Sequence, residues 1–337
     1  MPREVTFKEA VLEALREEMA RDPAVILLGE DVGAAGGVFR QTAGLYEAFG
    51  ARRVIDTPIS ESAIVGAAVG AAMTGLRPVV EIMFGDFITL ALDQLVNQAA
   101  KVRFLSQGGF SAPLVLRTAV GVGGNLGAQH SQSLHAWVAH VPGLRVAVPA
   151  TPADGKAMMV AALRGEDPVV FIEDRSIYNT KGPVDVPVAG FGQAALRRSG
   201  GDLTLVGISR GALLAAQAAD LLAEIGIGCD VIDVRTLAPL DLDTLRSSLR
   251  KTGRAAVVDP GHRSFGAAAE LAARLSEELF DYLDAPVVRV AAPDFPVPFS
   301  PALEPSAMPT ARLVAEAALR HFPAGVRDRW SSAEAGR

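Results

Sequence analysis

The stretch Asp56-Thr57-Pro58-Ile59-Ser60-Glu61 decides the fold of this chain, because it joins a predicted strand to a predicted helix. Residues 53–56 are typical of a strand, a proline turn follows, and Ser60 stands where a helix N-cap is expected, with Glu61 just inside. The next residues, 63–75, are almost all small, so neighbouring backbones can approach this helix closely. The Glu61 carboxyl is therefore predicted at the carboxyl end of a strand, where open α/β sheets bind ligands. The alternative is that Glu61 only interacts with the helix dipole.

Strands and helices alternate on both sides of this stretch. Upstream, a capping box, Thr6-x-x-Glu9, opens a helix predicted over residues 7–19, and a buried strand follows over residues 25–28. Downstream, the pattern predicts strands over residues 78–83, 114–116, 144–148 and 169–172, and helices over residues 89–106 and 152–163. Such alternation predicts an α/β fold with a parallel sheet between two layers of helices.

A second, shorter alternation begins after residue 200 and ends with a helix predicted over residues 311–319. Between the two alternations, glycine, proline and isolated valine residues indicate a linker. The expected organisation is a first domain over residues 1–175, a linker over 176–200, a smaller α/β domain over 201–325, and a polar, frayed tail over 326–337.

The composition is that of an ordinary globular protein. Of the 337 residues 50% are hydrophobic, and the formal net charge is -6. This acidic balance argues against nucleic acid or a membrane surface as a partner, and the apolar runs are too short for a spanning helix. The single cysteine, Cys229, excludes an internal disulfide and fits a reducing compartment. Because a helix is predicted directly after Met1, no signal peptide is expected and the predicted location is cytoplasmic.

Several catalytic motifs are absent from the sequence. Gly155-Lys156 is followed by Ala157, so it is no P-loop, and the glycines over residues 121–127 lack the dinucleotide spacing. Neither the zinc-protease motif His-Glu-x-x-His nor a Gly-x-Ser-x-Gly nucleophile elbow occurs. The five histidines do not supply a pair at helical metal-binding spacing. A self-sufficient metal or nucleotide enzyme is therefore not expected.

Three groups of residues remain as candidates for chemistry. Glu61 can act as an acid or a base in apolar surroundings, which Ile59 would help to supply. The run Met83-Phe84-Gly85-Asp86-Phe87 places a thioether and aromatic faces at a strand end, which suits a flat heterocycle, although core packing explains these side chains equally well. The loop Gln129-His130-Ser131-Gln132-Ser133 presents His130 either as a proton-transfer group or as a hydrogen-bonded structural residue.

A longer series of motifs occurs in order along the chain. It comprises Gly29-Glu30-Asp31-Val32-Gly33, the stretch from Arg53 to Glu61, Asn97-Gln98-Ala99-Ala100-Lys101, Gln129-His130-Ser131-Gln132-Ser133, His140-Val141-Pro142-Gly143-Leu144 and Val231-Ile232-Asp233-Val234-Arg235-Thr236-Leu237. From about Phe7 to Val314, the chain thus resembles the beta subunit of a thiamine-diphosphate-dependent 2-oxo acid dehydrogenase, in the transketolase-like superfamily. The resemblance implies a pyrimidine-binding first domain and a transketolase-type C-terminal domain.

The resemblance also implies roles for the candidate residues. Glu61 matches the glutamate that hydrogen-bonds the pyrimidine ring nitrogen and thereby helps the cofactor to lose a proton from its thiazolium carbon. Ile59, Met83 and Phe87 match residues that pack against the pyrimidine. His130 matches an active-site histidine that assists in handling the substrate or the lipoyl group.

The family's active site is shared between two chains. The motif that holds the diphosphate through magnesium is not in this sequence and belongs to the alpha subunit. The resemblance therefore implies a heterotetramer of two alpha and two beta chains, with the cofactor at the alpha/beta contact and a lipoyl-bearing acyltransferase as a further partner. It also suggests a potassium ion at main-chain oxygens near Leu163 and Asp167.

Two positions depart from the family pattern. Pro260 replaces a glutamate that usually follows Val257-Val258-Asp259, and His135, expected to be structural, stands where relatives more often have glutamate.

The run from Met83 to Phe87 favours pyruvate or acetoin as the substrate. The alternatives are the beta subunit of a branched-chain 2-oxo acid dehydrogenase, half of a two-chain transketolase-like enzyme, and a non-catalytic scaffold that completes a partner's fold.

Overall fold

A computed structural model describes residues 3–188 and 190–335. Its strands are β1 (Glu4–Thr6), β2 (Val25–Gly29), β3 (Val54–Asp56), β4 (Arg77–Phe84), β5 (Val115–Val120), β6 (Arg145–Ala147), β7 (Val169–Asp174), β8 (Lys181–Pro183), β9 (Ala195–Arg198), β10 (Leu203–Gly207), β11 (Cys229–Asp233), β12 (Thr236–Ala238), β13 (Ala255–His262) and β14 (Val288–Ala292). Its α-helices are α1 (Phe7–Arg21), α2 (Leu45–Phe49), α3 (Glu61–Met73), α4 (Ile88–Asp93), α5 (Val102–Leu105), α6 (His135–Ala139), α7 (Pro152–Arg164), α8 (Arg210–Ala223), α9 (Leu242–Thr252), α10 (Ala267–Glu278), α11 (Ala311–Leu319) and α12 (Ala324–Ala335).

The chain divides into two compact units. The first extends to Phe191 and also contains Thr236–Pro239, and the second contains Gly192–Arg235 and the residues from Leu240 onward. Two short strands lie within the residues expected to form the linker: β8 pairs with β1, and β9 pairs with β11.

The first unit is built on a seven-stranded sheet with the order β12-β6-β7-β5-β4-β2-β3. Its neighbouring strands are parallel, except that β12 runs antiparallel to β6. Every residue of β2, β5 and β7 is buried, as expected where helices cover both faces of a parallel sheet. This architecture confirms the predicted α/β fold class.

Helix α1 forms as the sequence predicts. The hydroxyl oxygen of Thr6 accepts from the main chain of Glu9, whose carboxylate accepts in return from the Thr6 main-chain nitrogen at 2.8 Å. The apolar stripe of α1 is buried and packs on α7, where a Cβ atom at Gly155 would lie 3.0 Å from the Phe7 ring and from Val11. The glycine that superficially resembles part of a P-loop is therefore needed for close helix packing.

Two predicted helices differ in detail from the prediction. Ser60 occupies the N-cap position of α3, but its side chain makes no capping hydrogen bond. The helix predicted over residues 89–106 is divided into α4, a π-helical segment over Gln94–Ala99, and α5. Leu90 and Leu105, two apolar residues of this segment, are 59% and 73% exposed. Among the described residues, no helix combines the length and apolar character needed to cross a bilayer.

The second unit contains a five-stranded sheet with the order β14-β13-β10-β11-β9, in which only β9 is antiparallel to its neighbour. Pro260 lies in β13 where the pairing with β14 shifts register, between Asp259 and His262. Proline has no N–H to donate to the ladder, and it is tolerated there because the irregular pairing requires no donor at that position. Up to residue 335, the tail predicted to be frayed instead lies in α12, and Trp330 packs into the core of this unit. The last two residues of that predicted tail lie outside the described part of the chain.

Candidate active site

The Glu61 carboxyl lies at the start of α3, just beyond the carboxyl end of β3. The turn between them is tied to β2, because the Thr57 main-chain nitrogen donates to the Gly29 oxygen at 3.0 Å. Asp56 fixes the loop after β2 by accepting from the Gly33 nitrogen at 2.7 Å. Glu61 is only 7% exposed, and no described residue donates a hydrogen bond to its carboxyl group. The fold thus presents a largely buried carboxyl with free acceptor capacity.

Acidic groups lie near Glu61, and an exposed isoleucine precedes it in the sequence. Burial raises the pKa of Glu30, and the nearby charges of Glu61 and Asp31 raise it further. The side chain of Ile59, two residues before Glu61, is 82% exposed. An exposed isoleucine beside a buried carboxyl is a surface that a partly apolar ligand would cover favourably.

His130 packs into a cluster of aromatic rings at the end of β4. Its ring centre lies 4.8 Å from that of Phe84 and 5.3 Å from that of Phe87, edge to face in both cases. Phe39 extends the cluster, with its ring centre 5.7 Å from that of Phe84. The structure therefore brings the predicted residues His130 and Phe87 together. Met83 and Phe87 are both partly exposed.

Within the described residues, no hydrogen bond or ring contact joins Glu61 to this aromatic cluster. The predicted site residues therefore form two groups in the first unit, one at the end of β3 and one at the end of β4. Both ends lie at the carboxyl edge of the same parallel sheet, since β2 pairs in parallel with β3 and with β4. The arrangement suits a ligand that reaches across this edge.

The loop that carries His130 is held by contacts that the sequence did not reveal. Arg175, after β7, donates to the main-chain oxygen of His130 and, at 3.0 Å, to the hydroxyl of Ser131. Its guanidinium also lies 6.0 Å from the Phe84 ring centre, a cation–π arrangement. On the other side, Gln132 donates to the carboxylate of Asp86. The only sequence signal was the placement of Asp86 and Arg175 at strand ends.

A buried ionic cluster lies on the same sheet. Arg117 donates to Glu173 at 2.5 Å and lies 3.3 Å from Glu81, and all three side chains are at most 3% exposed. Gln41, from the loop after β2, donates to Glu81 at 2.8 Å. Burial raises the pKa of Glu81 to about 7; Arg117 opposes this effect and the charge of Glu173 adds to it. The cluster anchors the loop whose Phe39 contacts the aromatic cluster.

The residues suggested for potassium have arginine partners. The main-chain oxygen of Leu163 accepts from Arg77 at 3.1 Å, and the carboxylate of Asp167 accepts from Arg145 at 2.9 Å. In the described part of the chain, no group of three or more His, Cys, Asp or Glu side chains is placed to hold a metal. Potassium binding stays a prediction. His135 is 1% exposed at the start of α6, as expected of a structural residue.

Comparison with known proteins identifies the family. Residues 3–181 match the family model "Transketolase, pyrimidine binding domain", and residues 192–314 match "Transketolase, C-terminal domain". The acetoin:2,6-dichlorophenolindophenol oxidoreductase subunit beta of Bacillus subtilis is 43% identical over 324 residues, which cover 92% of this chain and 95% of that protein. The chain belongs to the transketolase-like family of dehydrogenase beta subunits.

This beta subunit has relatives of several substrate types at nearly equal similarity. The pyruvate dehydrogenase E1 component subunit beta of Rhizobium meliloti is 42% identical, over 93% of this chain and 69% of the relative. The 2-oxoisovalerate dehydrogenase subunit beta of Bacillus subtilis is 43% identical, over 89% of this chain and 93% of the relative. Overall identity therefore does not select the substrate.

The fold of the beta subunit also matches a solved structure. A split gene transketolase, described as an inactive beta4 tetramer, superposes with a TM-score of 0.75 at 25% identity. The superposition covers 97% of this chain and 98% of the transketolase chain. The resemblance inferred from the motifs is confirmed.

Proposed function

We propose that this beta subunit, assembled with an alpha subunit, decarboxylates a 2-oxo acid of the pyruvate type, or cleaves acetoin, on thiamine diphosphate. The acyl group then passes to a lipoyl domain. The observation that carries the proposal is the Glu61 carboxyl, 7% exposed and without a hydrogen-bond donor among the described residues, in a pyrimidine-binding domain. Such a carboxyl is available to a ring nitrogen that carries a proton.

The residues of this chain fit the pyrimidine end of the cofactor. Glu61 supplies the acceptor, and the exposed side chain of Ile59 with the partly exposed Met83 and Phe87 supplies apolar and aromatic surface for a flat ring. We assign the diphosphate and its Mg²⁺ to the alpha subunit. The proposed assembly is an alpha2beta2 heterotetramer in the cytoplasm, served by a lipoyl-bearing acyltransferase.

Each residue has a distinct task in this proposal. When bound, thiamine diphosphate supplies the nucleophilic carbon and the electron sink for loss of carbon dioxide. Glu61 holds a proton against the pyrimidine nitrogen, and its burial strengthens that hydrogen bond. Ile59, Met83 and Phe87 exclude water from the ring. His130, held edge-on by Phe84 and Phe87, carries a proton to or from the substrate or the lipoyl group.

The test compares Glu61→Gln with wild type in the complex with the alpha subunit. Loss of a proton-holding carboxyl is expected to lower kcat by about 10²–10⁴-fold, as for other acid–base groups. Glu47→Gln is the matched control, because Glu47 is an exposed acidic residue in the first turn of α2. Near-normal turnover in Glu61→Gln would overturn the proposal and favour the scaffold alternative.

The same complex distinguishes the enzyme alternatives. Release of carbon dioxide from pyruvate and from 3-methyl-2-oxobutanoate, and cleavage of acetoin, identify the substrate. Acylation of an isolated lipoyl domain is expected of the dehydrogenase, whereas transfer of a two-carbon unit between sugars without lipoyl acylation would indicate the transketolase-like enzyme.

A further inference from the structure

The side chain of Asp86 links the two halves of the aromatic cluster. Asp86 lies in the 3-10 turn Gly85–Phe87 and is 6% exposed. One carboxylate oxygen accepts two hydrogen bonds from Gln132, from its side-chain amide at 2.8 Å and from its main-chain nitrogen at 3.3 Å. The His130 loop is therefore bonded directly to the turn that carries Phe87.

The loop and the turn are in close contact as well as hydrogen-bonded. A Cβ atom at Gly85 would lie 2.5 Å from Val120 and 3.6 Å from the main-chain oxygen of Gln132, so the loop approaches the bare backbone of the turn. Phe87 is next to Asp86 in sequence, and His130 is two residues before Gln132. The Asp86–Gln132 contact thus joins the two segments that carry the imidazole of His130 and the ring of Phe87.

The second oxygen of Asp86 is buried and has no hydrogen-bond partner in the described part of the chain. A buried carboxylate that is only half satisfied is unfavourable for folding, so simple stabilisation of the turn does not explain it. Both donors to its carboxylate, one main-chain and one side-chain nitrogen, are on Gln132, which indicates that the carboxylate holds the loop.

We propose that Asp86 is a positioning residue that, through Gln132, holds the imidazole of His130 against Phe84 and Phe87. The inference rests on the proposed role of His130 in substrate or lipoyl-group handling. Arg175 provides the other anchor, at the main-chain oxygen of His130 and at Ser131. With the Asp86 anchor lost, the imidazole keeps its chemistry but loses its fixed orientation, and the histidine-dependent step slows.

A double-mutant cycle in the assembled alpha/beta enzyme tests this inference. Asp86→Ala removes the acceptor, and Gln132→Met removes the side-chain donor while it keeps the length of the side chain. Each is expected to lower kcat for lipoyl acylation about tenfold, the effect of losing a hydrogen bond to a charged group. The double variant should be no slower than Asp86→Ala, because Asp86→Ala already removes both hydrogen bonds from Gln132, whereas Gln132→Met removes only the side-chain one. Asp86→Asn, which keeps an acceptor oxygen, should restore most of the rate.

Control measurements separate positioning from loss of structure. Asp202→Ala removes an exposed carboxylate that accepts from the Gly228 nitrogen, and it should leave the rate unchanged. The Kd of thiamine diphosphate and the KM of the 2-oxo acid should stay at wild-type values in the Asp86 and Gln132 variants. Weaker cofactor binding, or an Asp86→Asn rate as low as that of Asp86→Ala, would overturn the positioning role.

The His130→Ala background distinguishes failure of this inference from failure of the proposed function. If Asp86 acts through His130, then adding Asp86→Ala to His130→Ala lowers the rate no further. A further decrease there would overturn only the positioning role. Wild-type acylation by His130→Ala itself would remove the role of His130 in the proposed function, and the positioning role with it.

Discussion

Glu81 is a buried acid whose protonation is coupled to folding. Burial raises its pKa to about 7. The positive charge of Arg117 lowers the pKa, and the negative charge of Glu173 raises it. The folded chain therefore binds this proton more tightly than the unfolded chain, in which the carboxyl titrates near its usual value of about 4.3. The resulting stability is fully present below the unfolded pKa and is lost as the pH rises through about 7.

The expected result is a free energy of unfolding for the first unit that falls between about pH 4.3 and pH 7 through Glu81. Glu81→Gln should lack this contribution. The difference in free energy of unfolding between wild type and Glu81→Gln should therefore vary with pH in that window. Urea titrations followed by Trp137 fluorescence, in a Trp330→Phe background, report on the first unit, since these are the two tryptophans of the chain. Glu166→Gln, at an exposed surface position, controls for the loss of a charge. A constant difference at all pH values contradicts the coupling.

One member of the ionic cluster around Glu81, Arg117, can be recognised from the sequence. The acidic residues that pair with it cannot. Arg117 interrupts the run Val-Leu-Arg-Thr-Ala-Val of β5, where every residue is buried. A charged residue inside an otherwise apolar strand requires a buried counter-charge. Which acid supplies it depends on the order of the strands, and that order is set by long-range pairing that a single sequence does not reveal.

Helix caps make a prediction at the scale of the element. Thr6 caps α1 through its side chain, whereas Ser60 at the same position of α3 does not. Thr6→Ala should therefore destabilise the first unit by about 1 kcal/mol, the usual cost of losing a side-chain cap. Ser60→Ala should leave the free energy of unfolding nearly unchanged. Both are measured by urea denaturation with Trp137 as the probe, and equal losses in the two variants would refute the assignment of caps.

Most helices and strands could be predicted because their buried residues follow a local pattern in the sequence. The strand predicted over residues 25–28 is Val25–Gly29, and the helix predicted over residues 311–319 is Ala311–Leu319. The segment over residues 89–106 has equally good helical spacing, but a π-helical segment over Gln94–Ala99 changes which side chains face the core. Such a change depends on tertiary packing, and the spacing of apolar residues does not encode it.

The candidate site was predictable where position along a strand was sufficient. Glu61 and Phe87 follow the ends of strands in one parallel sheet, which places them at the same edge of that sheet, and His130 lies in a long glycine-rich loop. The roles of Asp86 and Arg175 depend on contacts with residues 46 and 45 positions away in the sequence. No local pattern indicates those pairs.

At the scale of the molecule, the family relationship implies that this chain works with an alpha subunit. The purified chain with thiamine diphosphate and Mg²⁺ is expected to release no carbon dioxide from pyruvate, because we assign the diphosphate site to the other chain. Addition of the alpha subunit should restore turnover and saturate at equal numbers of the two chains. Size-exclusion chromatography with light scattering checks the composition of the complex. Full activity of the isolated chain would contradict a shared site.

The short strand β12 has a consequence for how the protein is made. Thr236–Ala238 completes the first sheet by pairing with β6, although all of the sequence between Phe191 and β12 belongs to the second unit. During synthesis, domains generally begin to fold from the N-terminus as the chain emerges from the ribosome. The edge of β6 therefore stays unpaired until much of the second unit has been translated, and an unpaired strand edge is a site of aggregation. Until β12 is made, β6 rather than β12 is the open edge of the first sheet.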